Sequence, residues 1–193
     1  MARIEMPAQD ALTQQQSEVV AEVIAGPRGR VPEPLIAWLR NPELARRVQM
    51  LGEVLRFKTS IEPQWLEMAI IMVGRHWTSH LEWTAHKKHA LKAGLDSQVI
   101  ADIAAHRAPT LDDAKGQAVY DVVTSMLKTG RIPEALYQRA LGQLGERGLV
   151  ELVTLLGYYC MASFTLNAFE LGLPANIAPE LEDPEYALAE PKA

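Results

Sequence analysis

The sequence predicts an all-α, multi-helix bundle, and three features carry that expectation. No segment alternates apolar and polar residues with period two, so no strand is required. Apolar residues recur three and four positions apart through most of the chain. Residues that start and stop helices punctuate these stretches, and together they mark about eight helices.

Thr13 followed by Gln16 is a capping-box pattern. Val19, Val20, Val23 and Ile24 give the helix behind it an apolar face, which stops at Gly26. Residues 27–34 form a loop rich in Pro, Gly and Arg, and a short helix follows around Leu35 to Leu39. Asn41-Pro42 opens the next helix, because Asn caps well and Pro suits a first turn. Leu44, Val48, Leu51 and Leu55 continue it. Pro63 starts another, with Trp65, Met68, Ala69, Met72 and Val73 on its apolar side. No further proline occurs before Gly94, but one straight helix of that length is unusual in a small domain, so a break is expected between Gly74 and Ser79. Ser79-His80-Leu81-Glu82 then offers a fresh capping box, and Gly94 a stop. Asp96 or Ser97 caps a helix reaching about His106, and Asp112 or Asp113 caps one ending at Gly130. Pro133 opens a helix to about Gly145, and Leu149 to Leu171 forms the last, closed by Gly172 and Pro174.

At 193 residues, 48% of them apolar, the chain can bury one substantial core. It reads as a single domain over residues 1–173 with a Pro-rich acidic tail over 174–193. Of the net charge of −5, that tail carries −4. The body is close to neutral and shows no basic patch, so no nucleic-acid partner is expected. Met1 to Asp10 has charges and no apolar run, unlike a secretory signal. The single cysteine, Cys160, excludes an intrachain disulfide, and a reduced, cytoplasmic setting is expected. Leu152 to Phe169 is uncharged over 18 residues, the lower edge of a membrane span. Thr154, Tyr158, Ser163 and Asn167 fall inside it, so it reads as the centre of a core or subunit interface, with no membrane partner.

Four of the five histidines (His76, His80, His86, His89) fall in one short window with Trp77, Trp83 and Glu82. Glu67 lies on the helix before it. Glu82 and His86, four apart, share a helix face, where a carboxylate raises the imidazole pKa and fixes its tautomer. That pair suits acid–base catalysis near neutral pH. On spacing alone the same residues also suit a capping box with a surface Glu–His pair. Lys87, Lys88 and Lys92 read as a solvated face. His76 and His80 have ligand spacing but straddle the expected break, and neither HExxH nor a phosphate-binding glycine pattern occurs, so no metal and no cofactor is expected. Cys160, among Tyr159, Met161 and Phe164, reads as a small buried hydrophobe.

The stretches Trp65-Leu66-Glu67-Met68-Ala69-Ile70-Ile71, Glu82-Trp83-Thr84-Ala85-His86 and Ala90-Leu91-Lys92-Ala93-Gly94-Leu95 resemble the carboxymuconolactone decarboxylase family, which also contains alkyl hydroperoxidase D. Leu166 to Leu171 resembles the closing helix of a two-part subgroup, and the resemblance spans residues 13–173. It implies an all-α, cofactor-free fold assembled as trimers or hexamers. The hydroperoxidase branch carries a Glu, a Cys-x-x-Cys and a His four residues later, which fall here on Glu67, Ser79, Glu82 and His86. Both sulfurs are absent, and a dithiol relay needs both an attacking and a resolving thiol. The decarboxylase branch also lacks the cysteines and keeps the Glu-x-x-x-His pair, so the chain looks closer to it.

The implied catalytic set is His86, Glu82, Glu67 and Ser79. The implied activity is cofactor-independent acid–base chemistry, decarboxylating or isomerising a small carboxylated lactone or keto acid. His86 would be the main proton donor and acceptor, Glu82 would orient it, and Glu67 would complete the relay. Two alternatives stand beside it. One is a peroxidase or antioxidant protein using Cys160 with an outside thiol. The other is a non-catalytic ligand-binding scaffold in which Trp77, Trp83, Tyr158 and Tyr159 line a pocket or fill the core. The helix from Leu149 to Leu171 has apolar residues on more than one face, among them Leu152, Leu155, Leu156, Met161, Phe164, Leu166 and Phe169, so a homo-oligomer is expected. Ile177, Leu181, Tyr186 and Leu188 would anchor an extended tail, part of it on a neighbouring subunit.

Overall fold

A computed structural model of the chain describes residues 2–174 and 176–183. Among the described residues it contains a short 3-10 turn at Gln9–Ala11, eight α-helices and no strand. The helices are α1 (Gln14–Ala25), α2 (Glu33–Trp38), α3 (Pro42–Phe57), α4 (Pro63–His76), α5 (His80–Lys92), α6 (Ser97–Ala104), α7 (Ala114–Thr129) and α8 (Glu134–Ala168). Local chemistry sets most of the starts. The Thr13–Gln16 capping box forms in both directions. The side chains of Asn41, Asp96 and Asp113 each accept a backbone N–H of the first turn of α3, α6 and α7.

Helix α4 is the axis of the protein. It packs against α5, α6, α7 and α8. Every residue from Trp65 to Arg75 is buried, not only its expected apolar side. Burying side chains such as Ile70, Ile71 and Val73 contributes about 1.5–3 kcal/mol each. The helix ends where Thr78 takes a left-handed φ of 44°, and α5 starts at once. Asn167 of α8 donates its Nδ2–H to the Trp77 carbonyl at 2.7 Å, satisfying an acceptor left over at that end. The break therefore falls where the sequence places it, and it folds α5 back along α4.

Three sequence expectations are corrected. Ser79 occupies the N-cap of α5, but its side chain makes no cap bond, so the Ser79–Glu82 capping box does not form. Glu82 is buried and turned to His86 instead. In α3 the buried face runs through Ala45, Val48, Gln49, Gly52 and Leu55, while Leu44 and Leu51 are 46% and 42% exposed. At the C-terminal end the expected division holds: within α8 two helical stretches meet at Gly145, whose backbone is not helical, and the second ends at Ala168. Lys87 is not merely solvated: its ammonium pairs with Glu180 of the C-terminal segment.

That segment lies on its own chain as far as it is described. Leu181 joins the main core, and Trp83 Nε1 donates to Glu180 at 3.3 Å. Tyr186 and Leu188 lie outside the described residues. Helix α8 is long and apolar enough to cross a membrane by length and composition, and half of its apolar window is buried inside the protein.

Gly145 has φ 67° and ψ 172°, a region essentially reserved for glycine. Gly145→Ala is expected to destabilise the fold by about 1–3 kcal/mol, measured by urea unfolding. An unchanged midpoint would show that the bend at this residue is not required.

Candidate functional site

Glu67, one turn into α4, points at α5 from a helix with almost no exposed surface. His86, midway along α5, meets it: Nδ1–H donates to Glu67 Oε2 at 2.6 Å. On the other side of the ring, Nε2 lies 3.3 Å from Glu82 Oε2, one helical turn back. The second Glu67 oxygen accepts from Arg56 Nη2 of α3 at 3.3 Å. Glu67, Glu82 and His86 are each more than nine-tenths buried. Tyr159 of α8 closes one flank, edge-on to the imidazole with ring centroids 5.1 Å apart.

Burial is the largest influence on both central groups, and in both it is overcome. It acts to raise the Glu67 carboxyl, but the His86 hydrogen bond and the charges of His86 and Arg56 hold it below its ordinary value. It disfavours a charged His86, but hydrogen bonds to Glu67 and Glu82, with their charges, hold the imidazole above its ordinary value. Both shifts run toward the charged forms, with the proton on the imidazole and off Glu67.

A narrow cavity of about 50 Å³ reaches Glu82 and His86. Its walls come from the loop 27–34, from α2 and α3, and from Tyr158 and Tyr159 of α8. Arg28 lies beside the Tyr158 hydroxyl, and both rest against α3 at Gly52. A Cβ at Gly52 would stand 2.7 Å from an Arg28 Nη and closer still to the Tyr158 hydroxyl, so only glycine leaves room for this pair. Trp38 Nε1 donates to Thr165 Oγ1 at 3.0 Å and pins α2 over α8.

The structure thus brings together three of the four residues singled out from the sequence. Ser79 is apart from them. It is fully buried, its hydroxyl has no partner among the described residues, and it borders a different cavity with Thr78, His80 and Leu166. Sequence reasoning did not find Arg28, Arg56 or Gly52. The arginine-rich loop was visible as composition, but nothing in its local pattern points at a histidine on another helix. Cys160 is half-buried, accepts from Trp77 Nε1 at 3.2 Å, and does not line the His86 cavity. Burial pushes its thiol up, with the Trp77 N–H acting the other way. Among the described residues no group of three or more His, Cys, Asp and Glu is arranged to hold a metal ion.

The fold and site define an all-helical protein with a buried Glu–His–Glu cluster. In fold the chain is similar to a crystal structure, at 1.70 Å resolution, of an uncharacterized peroxidase-related protein from Silicibacter sp. TM1040. The TM-score is 0.71, with 91% of this chain and 92% of that chain covered at 18% identity. At that identity the likeness is one of fold alone. No family model and no curated protein matches the chain.

The buried cluster has a pH signature. His86 binds its proton more tightly folded than unfolded, so its stabilisation is full below the ordinary 6.5 and is lost as pH rises through the raised value. The other four histidines, lowered chiefly by burial, lose nothing above 6.5. Glu67 has the opposite sign: its contribution is full above 4.5 and is lost as pH falls through its lowered value. Urea unfolding of the wild type should therefore show stability declining above about pH 6.5, and His86→Asn should lack that decline. A wild-type curve that is flat or rising there would contradict the charged assignment.

Proposed function

We propose that the chain is a cofactor-independent acid–base enzyme acting on a small organic acid, with His86 as the proton donor and acceptor. The observation that carries this reading is an imidazole buried between two carboxylates and reached by a cavity. The two contacts are unequal, which suggests a division of labour. The shorter bond from Nδ1 to Glu67 fixes the ring, so Glu67 is the orienting group. The longer Nε2–Glu82 contact is the one an incoming acceptor can replace. A proton leaving Nε2 for one carbon of the substrate is made good when Glu82 takes one from the neighbouring carbon, or from water once carbon dioxide has left, and returns it to the ring. Such a cycle serves isomerisation, by moving a proton between carbons, and decarboxylation, by protonating the carbon left behind. The size of the cavity favours a short oxo acid over a carboxylated lactone.

Thiol peroxidase chemistry has less behind it. Neither relay sulfur is present, and Cys160 lies away from the His86 cavity with its thiol form favoured. Purified protein incubated with short oxo acids in heavy water should catalyse deuterium incorporation or release of carbon dioxide, read by NMR. His86→Asn should slow that by roughly 100-fold or more. Full activity in this variant would remove His86 from the role.

We also propose that the chain self-associates through α8. Val150, Thr154, Gly157, Phe164 and Ala168 are exposed along one side of this helix, with Val150 67% and Phe164 50% accessible. Helical spacing puts them in one stripe, flanked by Trp77 edge-on to Phe164. Sedimentation at micromolar concentration should give a multiple of 21.4 kDa, reduced by Phe164→Glu. A single-chain mass for the wild type would end this proposal.

A further inference from the structure

With His86 charged, as the acid–base reading has it, the groups around its cavity carry more positive charge than their carboxylates neutralise. Glu67 and Glu82 are then matched by His86 and the Arg56 guanidinium. Arg30, at the mouth, is matched by Glu33 at 3.2 Å. Arg28 is left over. Its described partner is the Tyr158 hydroxyl, which burial pushes up and so keeps neutral. His89, at the rim, is held below its ordinary value chiefly by burial and adds no counter-anion.

A second observation points the same way. The Nε atoms of both Arg28 and Arg56 are buried and have no hydrogen-bond partner among the described residues. A buried, unsatisfied N–H on a charged group costs more than about 1–3 kcal/mol, so native structures rarely leave two beside one cavity without a use for them. Guanidinium groups match carboxylates geometrically, with paired N–H groups facing paired oxygens.

We propose that Arg28 and Arg56 form a receptor for the carboxylate of a small monoanionic acid, bound in the cavity beside His86. The small volume limits the ligand to a carboxylate on a short carbon chain. This deepens the acid–base reading and rests on it for a charged His86 and for the chemistry after binding. Two guanidiniums stabilise charge that stays on the carboxylate. Decarboxylation would move that charge onto carbon as neutral carbon dioxide leaves, so the arginines oppose it. The carboxylate is then an anchor and not a leaving group, and the matching reaction class is proton transfer at a neighbouring carbon.

The test is binding, read without turnover. Isotope-labelled acetate is titrated against the whole protein and followed by NMR line width, with acetamide as the neutral isostere and chloride as the competing anion. Saturable acetate binding is expected, with no binding of acetamide and no displacement by equimolar chloride. Arg28→Gln should weaken it by about tenfold or more. In the wild-type protein, acetate should also protect Arg28 from an arginine-selective dicarbonyl reagent, mapped by mass spectrometry, which keeps the test open if Arg28→Gln misfolds. No acetate binding, equal binding by Arg28→Gln, equal binding of acetamide, displacement by chloride or absence of protection would each overturn the receptor. None of these bears on whether His86 transfers protons. Conversely, an active His86→Asn would leave a demonstrated receptor standing.

Discussion

A carboxylate sits on the most buried helix of the protein, and the surrounding site answers that constraint. Glu67 is buried away from bulk solvent, and an isolated ion there would cost several kcal/mol. Three responses were open: protonate the acid, exclude it from the core, or surround it with cations. The fold takes the third. His86 is brought to one oxygen by the turn between α4 and α5, and Arg56 to the other by the end of α3. Glu82 stands on the far side of the ring, and the two carboxylates together hold His86 above its ordinary value. The cluster is a chain of obligations that begins with one residue.

Much of the fold is legible in the sequence because the signals that set it are local. Caps at Thr13, Asn41, Asp96 and Asp113 bond within their own first turns, so both partners are visible in a short stretch of sequence. The failures share one cause, a distant partner that outcompetes a local one. Glu82 is well placed to cap α5, but a buried imidazolium is a stronger partner than a backbone N–H. Leu44 and Leu51 obey helical spacing, yet α3 has a second face of small and apolar residues that fits closer to its neighbours, with Gly52 at the point of nearest approach.

The site divides along the same line. Glu82 and His86 could be paired from their spacing, and Glu67 joined them through a family resemblance. Arg56 and Arg28 were invisible because their roles depend on which helix lies beside which. Ser79 shows the opposite error: its position in a motif suggested a role, but it borders a different cavity from the one that reaches His86. Alignment to a motif fixes where a residue falls along the chain, and the backbone decides which cavity it borders.

The two halves of the site also differ in how much chain must be organised before they exist. Glu67, Glu82 and His86 belong to one helix hairpin with a connection of three residues, which closes at little entropic cost. The Arg28–Tyr158 contact joins the first loop to the last helix and needs nearly the whole chain in place. Loop-closure entropy therefore orders their assembly, with the proton-carrying half early and the cation-lined wall late. A chain caught between these stages would already hold its charged hairpin while the cavity above it lacked a roof, open to water on the side that the native protein seals.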